Sequence, residues 1–456
     1  MNDVCTNADT FEKLKFRVID EGLCTHCGTC VGLSDGALTM VDSPCGPLPH
    51  AAREAGITLP PAAWEACPGR GLAYPELCNA TFGALPDNWL IGCCRELFVG
   101  HASDQEIRRD GASGGVITQV LLHLLAEGVI DGAVVVRQGW PEPWQASPVI
   151  ARTAEEIRAC AQSVYVPVGV NTILGAMAEF PGRLAYVGLP DQVAALRRLQ
   201  ALGHPGANRV DYVVGPYVGT LIYQGAIESY LRANGVTSLQ EVVDLRYREG
   251  EWPGHLRIQT KSGRILKVEK FYYNYLIPFY ITQSSLFSVD FTNELTDISV
   301  GDAWHPKYES QKQGFSVVVG RSERGTSLLR EMEERKLLDL QPIELDEALS
   351  MHGHMLDFKK RGAFIRIDRR RAAGRYAPDY GYCPDHIRFS RRAVETVLNL
   401  IFSSCRISWV RRMAERVPLA IMGPVFNALR IGWKTLSKPT KRKGLAGLEF
   451  NVSTET

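Results

Sequence analysis

Three cysteines at two-residue spacing, Cys24-Thr25-His26-Cys27-Gly28-Thr29-Cys30, followed later by Cys67-Pro68-Gly69, constrain this chain more than any other feature. Thiolates at that spacing wrap one face of an iron–sulfur cubane, and a remote Cys-Pro closes the fourth corner. A segment built this way relies on its inorganic centre in place of a large apolar core. Cys24, Cys27, Cys30 and Cys67 are the expected ligands of one [4Fe-4S] cluster. Zinc is the rival metal, although its ribbons normally present two matched Cys-x-x-Cys pairs. Cys45, in Ser43-Pro44-Cys45-Gly46, is the rival for the fourth corner, and Cys67 is preferred for the proline that follows it.

Where two-cluster ferredoxins carry a further cysteine just after the triplet, this chain has Ser34, so the pattern reads as one cluster. His26 is expected to point to solvent. Cys93 and Cys94 are adjacent and cannot easily reach one metal together, so they are expected to pack beside a strand. The chain has twelve cysteines and a polar start, MNDVCTNADTFEKLKF, that lacks an apolar signal region. That combination favours metal over disulfides and a cytoplasmic location. A formal net charge of +1 argues against a general nucleic-acid binder, whose basic surface would dominate the count. No run approaches the ~18 apolar residues that a membrane-spanning helix requires.

At 456 residues the chain has room for two or three domains. Residues 1–90 are Gly/Pro-rich and cysteine-punctuated, the expected ferredoxin-like cluster lobe. From about residue 95 the pattern alternates. VITQVLLHLLAEG has helical spacing, AVVVRQ is an apolar strand, TAEEIRACAQ and NTILGAMAEF are helices, and RLAYVGLP is a strand. The helix Asp191–Leu202 and the strand VDYVVGPYVG follow, then a strand-rich stretch over 239–305 and helix over 323–350. The expectation is an α/β (mixed α+β) protein with a mixed-sheet core in two regions, 91–180 and 181–355, and a helical basic extension over 356–456. Over Arg406–Lys443 basic residues face a single acid, Glu415. That composition suits either a helical hairpin packed on the body or a peripheral contact with a membrane, the inner membrane for a cytoplasmic protein.

Gly111-Ala112-Ser113-Gly114-Gly115 opens the first long helix. Small residues at a strand-to-helix junction let backbone N–H groups approach a phosphate, and the helix N-terminus adds a favourable dipole. A tight turn before a packed helix would look the same.

The run IGCCRELFVGHASDQEIRRDGASGGVITQVLLHLLAEGVIDGAVVV resembles the corresponding stretch of the coenzyme F420 hydrogenase/dehydrogenase beta subunit family. SVYVPVGV, YVGLPDQVAALRRL, VVGPYVGT and FTNELTDISVGDAW match in the same order, so that the resemblance covers about residues 20–305. It implies FAD beside the cluster, bound around Gly111, Ser113, Gly114, Gly115 and Thr118, with Tyr165, Asn293, Asp297 and Asp302 lining the site. Tyr165, Asp297 and Asp302 are the candidate proton donors or substrate-orienting groups, although an Asp beside a turn often caps the local backbone instead. The family commonly carries cysteines where this chain has Asp191, Val218, Ser285 and Ser288, so a second cluster is not expected there.

The resemblance implies an oxidoreductase. It would pass electrons between a ferredoxin-like one-electron donor, or F420H2 as redox substrate, and a small-molecule or glycan-related substrate. An electron-relay subunit and a non-catalytic scaffold with a structural cluster are the alternatives. Trp252, the run Phe271–Tyr280 and Trp304 are candidate pocket walls.

Overall fold

The computed structural model describes residues 7–52 and 57–453. Its cysteine-rich segment folds in short pieces, as its turn-forming residues dictate. The strands β1 (Leu38–Val41) and β2 (Leu48–Ala51) pair as an antiparallel hairpin. Single helical turns, Thr29–Gly32 and Ala62–Glu65, and the tighter turn Pro68–Arg70 carry or flank the cysteines.

The main layer is an eight-stranded sheet. Its strands come from β3 (Glu96–Ala102), β4 (Gly132–Gln138), β5 (Ala146–Ala151), β6 (Leu184–Val187) and β7 (Val210–Pro216). A separate antiparallel sheet of β8 (Val242–Glu249), β9 (His255–Thr260) and β10 (Ile265–Glu269) then intervenes. The chain returns to the main sheet with β11 (Ile298–Asp302), β12 (Ser316–Gly320) and β13 (Leu338–Pro342), giving the order β13-β3-β12-β11-β7-β6-β4-β5. Pairing along β4-β6-β7-β11 is parallel, and the buried apolar runs of these strands fit a sheet covered on both faces. Helices Leu174–Glu179 and Pro190–Ala201 make the crossovers into β6 and β7. Because β12 runs antiparallel to both neighbours, β3 points the same way as β11. The carboxyl ends of β3, β4, β6, β7 and β11 therefore share one edge, where open α/β sheets place their ligands.

The structure departs from the sequence-based reading in two places. The helix expected over 323–350 is interrupted: Glu323–Glu334 and Leu345–Asp357 are helical, but β13 lies between them. Leu338 and Leu340 are buried while Asp339 and Gln341 are exposed, the two-residue period of an edge strand. The strand expected to run on from β10 stops at Glu269, and Lys270–Tyr273 forms a helical turn.

One core joins the layers. Leu14, Leu23, Leu33 and Leu77 of the N-terminal segment pack with Leu184 and Val193 of the sheet layer and with Phe364 and Ile365 of the extension. Helix Leu345–Asp357 runs through a π-turn, Phe358–Gly362, into helix Ala363–Ala372. Helices Phe389–Cys405, Ser408–Glu415 and Leu419–Arg442 follow, and β14 (Tyr382–Pro384) pairs with β15 (Phe450–Val452). No helix among the described residues is long and apolar enough to cross a membrane.

Candidate functional site

Cys24, Cys27, Cys30 and Cys67 line one cavity with Leu14, Val18, Met40 and Ala63. Gly28, at φ 83°, makes the turn between the ligand candidates possible. A Cβ there would collide with Thr172 and with the Gly169 carbonyl, so only glycine lets this turn lie against the sheet layer. Asn171 fastens the joint. Its N–H donates to the Cys27 carbonyl at 2.9 Å, its side-chain amide donates to Thr29 Oγ1 at 3.0 Å, and its Oδ1 accepts from Tyr186 of β6 at 2.5 Å.

Among the described residues, no three His, Cys, Asp or Glu side chains stand close enough to hold a single metal ion. The four thiols instead share the lining of one cavity, the arrangement that a polynuclear cluster would use. Burial pushes all four thiols up, Cys67 to about 12. Thiolates in this cavity require the positive charge that bound metal brings. Cys45 is exposed and does not line the cavity.

His26 does not point to solvent. It is buried, with Nδ1 2.8 Å from the Pro47 carbonyl and its ring edge-on to Tyr223. Gly46, where a Cβ would press on the imidazole at 3.0 Å, leaves room for the ring to fold inward. Cys93 and Cys94 lie just before β3, and Cys93 hydrogen-bonds with Cys78.

The Gly111–Gly115 turn sits at the carboxyl edge of β3. The Gly114 carbonyl accepts from Ala102 N–H at 2.7 Å, Ser316 Oγ accepts from Gly114 N–H at 2.9 Å, and the Ser113 and Ser316 hydroxyls are 2.7 Å apart. Gly314 packs so closely on Ser113 that a Cβ would overlap the Ser113 carbonyl oxygen. No side chain caps helix Val116–Ala126, which begins at Gly115 and carries Thr118 in its first turn. Arg108 is buried beside this turn. Its Nε donates to the Gly314 carbonyl at 2.9 Å, while Nη2 has no hydrogen-bond partner. An uncapped helix start beside a buried guanidinium fits an anionic pyrophosphate.

Asp302 ends β11, next in register to Ser316. Arg248 grips its carboxylate at 3.0 and 3.1 Å, Trp252 Nε1 donates to it at 2.9 Å, and Lys270 Nζ lies 3.9 Å away. Burial alone would raise this carboxyl, but Arg248 and Lys270 pull it down to about 2. Lys270 also lies over the Tyr165 ring at 5.8 Å and the Trp304 ring at 5.1 Å, and Trp304 packs on Trp252 at 4.6 Å. The structure thus brings Tyr165 and Asp302 together with Trp252 and Trp304. The side chains of Phe271 and Tyr272 lie outside the described residues.

Asp297 stands apart, one strand length away at roughly 16 Å. Its carboxylate accepts from Ser322 Oγ, Arg324, Arg197 and Val213 N–H, at 2.6 to 3.1 Å. It is committed to tying β11 to its neighbours. Asn293, at φ 60°, donates to the carbonyls of Gly188, just past β6, and of Pro216, which ends β7, and its buried Oδ1 is without a partner.

A buried ionic group was not foreseen. Lys359 Nζ donates to the Ser285 carbonyl at 2.9 Å and faces Asp191, whose carboxylate hydrogen-bonds Ser288. Beside it, Lys360 Nζ lies 2.6 Å from Glu294, both fully buried, and donates to Tyr382 at 2.7 Å. Asp191, Ser285 and Ser288, three of the four positions at which the resemblance points to cysteines, thus gather around Lys359 of the π-turn. Val218 differs in bonding only through its backbone, to the Phe291 carbonyl.

Residues 97–175 match the family described as coenzyme F420 hydrogenase/dehydrogenase, beta subunit N-term, and residues 182–346 match its companion, the C terminus of the same beta subunit. The coenzyme F420-dependent sulfite reductase of Methanocaldococcus jannaschii is 24% identical over 82% of this chain, an alignment that takes in only 55% of that protein. The coenzyme F420 hydrogenase subunit beta of Methanothermobacter thermautotrophicus is 23% identical over 63% of this chain and 99% of its own length. The rice 7-hydroxymethyl chlorophyll a reductase is 28% identical over 48% of this chain and 46% of its own. In fold, the chain superimposes with a TM-score of 0.51 and 22% identity on a chain of the F420-reducing [NiFe] hydrogenase complex from Methanosarcina barkeri, covering 64% of this chain and 98% of that one. With both halves of one family matched across more than half of its length, this chain belongs to the coenzyme F420 hydrogenase/dehydrogenase beta subunit family.

Proposed function

We propose that this chain is a flavin- and iron–sulfur-dependent oxidoreductase that exchanges electrons between a ferredoxin-like donor, or F420H2, and a small-molecule or glycan-related substrate. Cys24, Cys27, Cys30 and Cys67 would hold one [4Fe-4S] cluster. The Gly111–Gly115 turn, Ser113, Thr118, Arg108 and Asn293 would hold FAD. When bound, these groups supply conversion between two-electron hydride chemistry and one-electron transfer. The chain's own residues do the rest. Arg108 and the open helix start at Gly115 neutralise and orient phosphate oxygens. Asp302, locked ionised by Arg248 and Trp252, fixes Lys270 and thereby the ammonium that lies over the Tyr165 and Trp304 rings. Tyr165 carries an exchangeable phenolic proton there. Trp252 and Trp304 give a flat apolar wall for a ring-shaped substrate.

The observation that carries this reading is the framing of one cavity by the four cysteines, seated on the sheet layer through Asn171. Iron, sulfide and flavin content of anaerobically purified protein tests it. The wild type and Cys45→Ala should carry both groups, whereas Cys67→Ala should lose iron. Protein with neither iron nor flavin would overturn the reading. Asp191, Ser285 and Ser288 offer no thiolate for a second cluster, which favours a second reading, a relay subunit whose partner holds the substrate site. Turnover of reduced ferredoxin or F420H2 by the isolated chain separates the two.

A further inference from the structure

Three helices of the C-terminal extension turn apolar residues outward. In helix Phe389–Cys405 the inward face carries Arg391 and Glu395, paired at 2.9 Å, while the outward face carries Phe389, Val397 and Leu400. At 100° per residue, Phe389, Ala393, Val397 and Leu400 fall within one 80° arc. Helix Leu419–Arg442 is apolar on two faces. Met422 and Phe426 pack on the body, and Ile421, Val425, Leu429 and Leu436 form the exposed stripe. Between them, Trp409 and Met413 are exposed on helix Ser408–Glu415, flanked by Arg412 and Arg416.

These are full exposures. Phe389 is 86%, Leu436 80%, Leu429 68% and Trp409 62% accessible. Of the 19 large apolar residues exposed among the described residues, 12 lie between Phe389 and Leu436. A helix facing water has the opposite pattern, and apolar residues gathered this way mark an interaction surface.

Charge selects the occupant. Between Arg388 and Lys443 there are 13 lysines and arginines and only two acids, Glu395 and Glu415. Both acids are already engaged, Glu395 by Arg366 and Arg391 and Glu415 by Arg232. A second copy of this face would bring like charges together, whereas an anionic lipid surface complements both the apolar stripes and the basic rim. Helix Leu419–Arg442 does not meet the requirements for spanning, and its composition is that of a helix lying in the interfacial plane. We propose that the face formed by Phe389–Cys405, Ser408–Glu415 and Leu419–Arg442 docks this protein peripherally on an anionic membrane. The turn Lys270–Tyr273, whose Lys270 lies 3.9 Å from Asp302, packs against the last of these helices.

Flotation of the full chain with vesicles tests this, using phosphatidylcholine alone or mixed with phosphatidylglycerol. Binding should require the anionic lipid and weaken with salt. Arg416→Gln combined with Lys438→Gln should lower it about thirty-fold, at about 1 kcal/mol per basic residue. Leu429→Gln combined with Leu436→Gln, at exposed positions where folding is unaffected, should lower it at least about tenfold. Circular dichroism and cofactor content confirm that each variant is folded. Absence of flotation would overturn the proposal and leave the face to an acidic protein partner. Equal binding to both vesicle types would also overturn it. So would lipid-free self-association in ultracentrifugation that the leucine pair abolishes, which would make the face a contact between copies.

Discussion

His352 should make this protein acid-labile in a defined window. Its ring packs against Tyr217 at 5.3 Å and Phe291 at 5.2 Å, and its Nε2 is buried with no hydrogen-bond partner. Burial pushes its pKa from 6.5 down to about 4, even though the charge of Asp302 and a hydrogen bond to the Asp302 backbone both favour the cation. The unfolded chain binds this proton near pH 6.5 and the folded one only near pH 4, so between those values the unfolded state holds more protons. Stability from this residue is complete above pH 6.5 and is lost as pH falls toward 4. That depression is worth about 3 kcal/mol at its limit, and about 2 kcal/mol of it is gone by pH 5. His352→Phe keeps the ring contacts and removes the titration. Urea unfolding of both proteins at pH 7.5 and pH 5 should show the wild type losing about 2 kcal/mol more than the variant. Parallel losses, within about 0.5 kcal/mol, would refute the assignment.

Other perturbations follow from the same physics. Glu395→Ala leaves Arg366 and Arg391 buried without their shared carboxylate and should cost about 3–5 kcal/mol in denaturant unfolding. A loss below about 1 kcal/mol would mean that water reaches the pair. Gly314→Ala forces a methyl against the Ser113 carbonyl and should cost about 1–3 kcal/mol while displacing the glycine turn. Flavin content of the purified variant should fall while its far-ultraviolet circular dichroism stays native. Unchanged flavin content would move the nucleotide site elsewhere.

The alternation of sheet and helix was legible because each parallel strand is a short buried apolar run and each crossover helix has its own stripe. Where an element drew its stability from elsewhere, legibility failed. The strand β13 is a short edge strand between two helices, and its two leucines fit a helical pattern equally well. Lys359, Lys360 and Arg361 form a run that composition alone assigns to water. They are buried because Asp191, Glu294 and Asp357, far away in sequence or one helical turn back, supply one acid to each. That Cys24, Cys27, Cys30 and Cys67 line one cavity was readable since their spacing groups them. The two roles foreseen for Asp297 and Asp302 were not separable in sequence, because both flank the same strand and only tertiary pairing shows Asp297 to be fully engaged. His26 was misplaced for a related reason: its acceptor is the carbonyl of Pro47, across the hairpin.

The cysteine lobe is not an appendage, since Leu23, Leu33 and Leu77 interdigitate with the underside of the sheet. A newly made polypeptide that fails to mature there would leave Leu184 and Val193 open to proteases and aggregation. Were the proposed cluster what completes that lobe, acquisition of iron and survival of the whole molecule would be the same event, and cellular abundance would follow the iron supply.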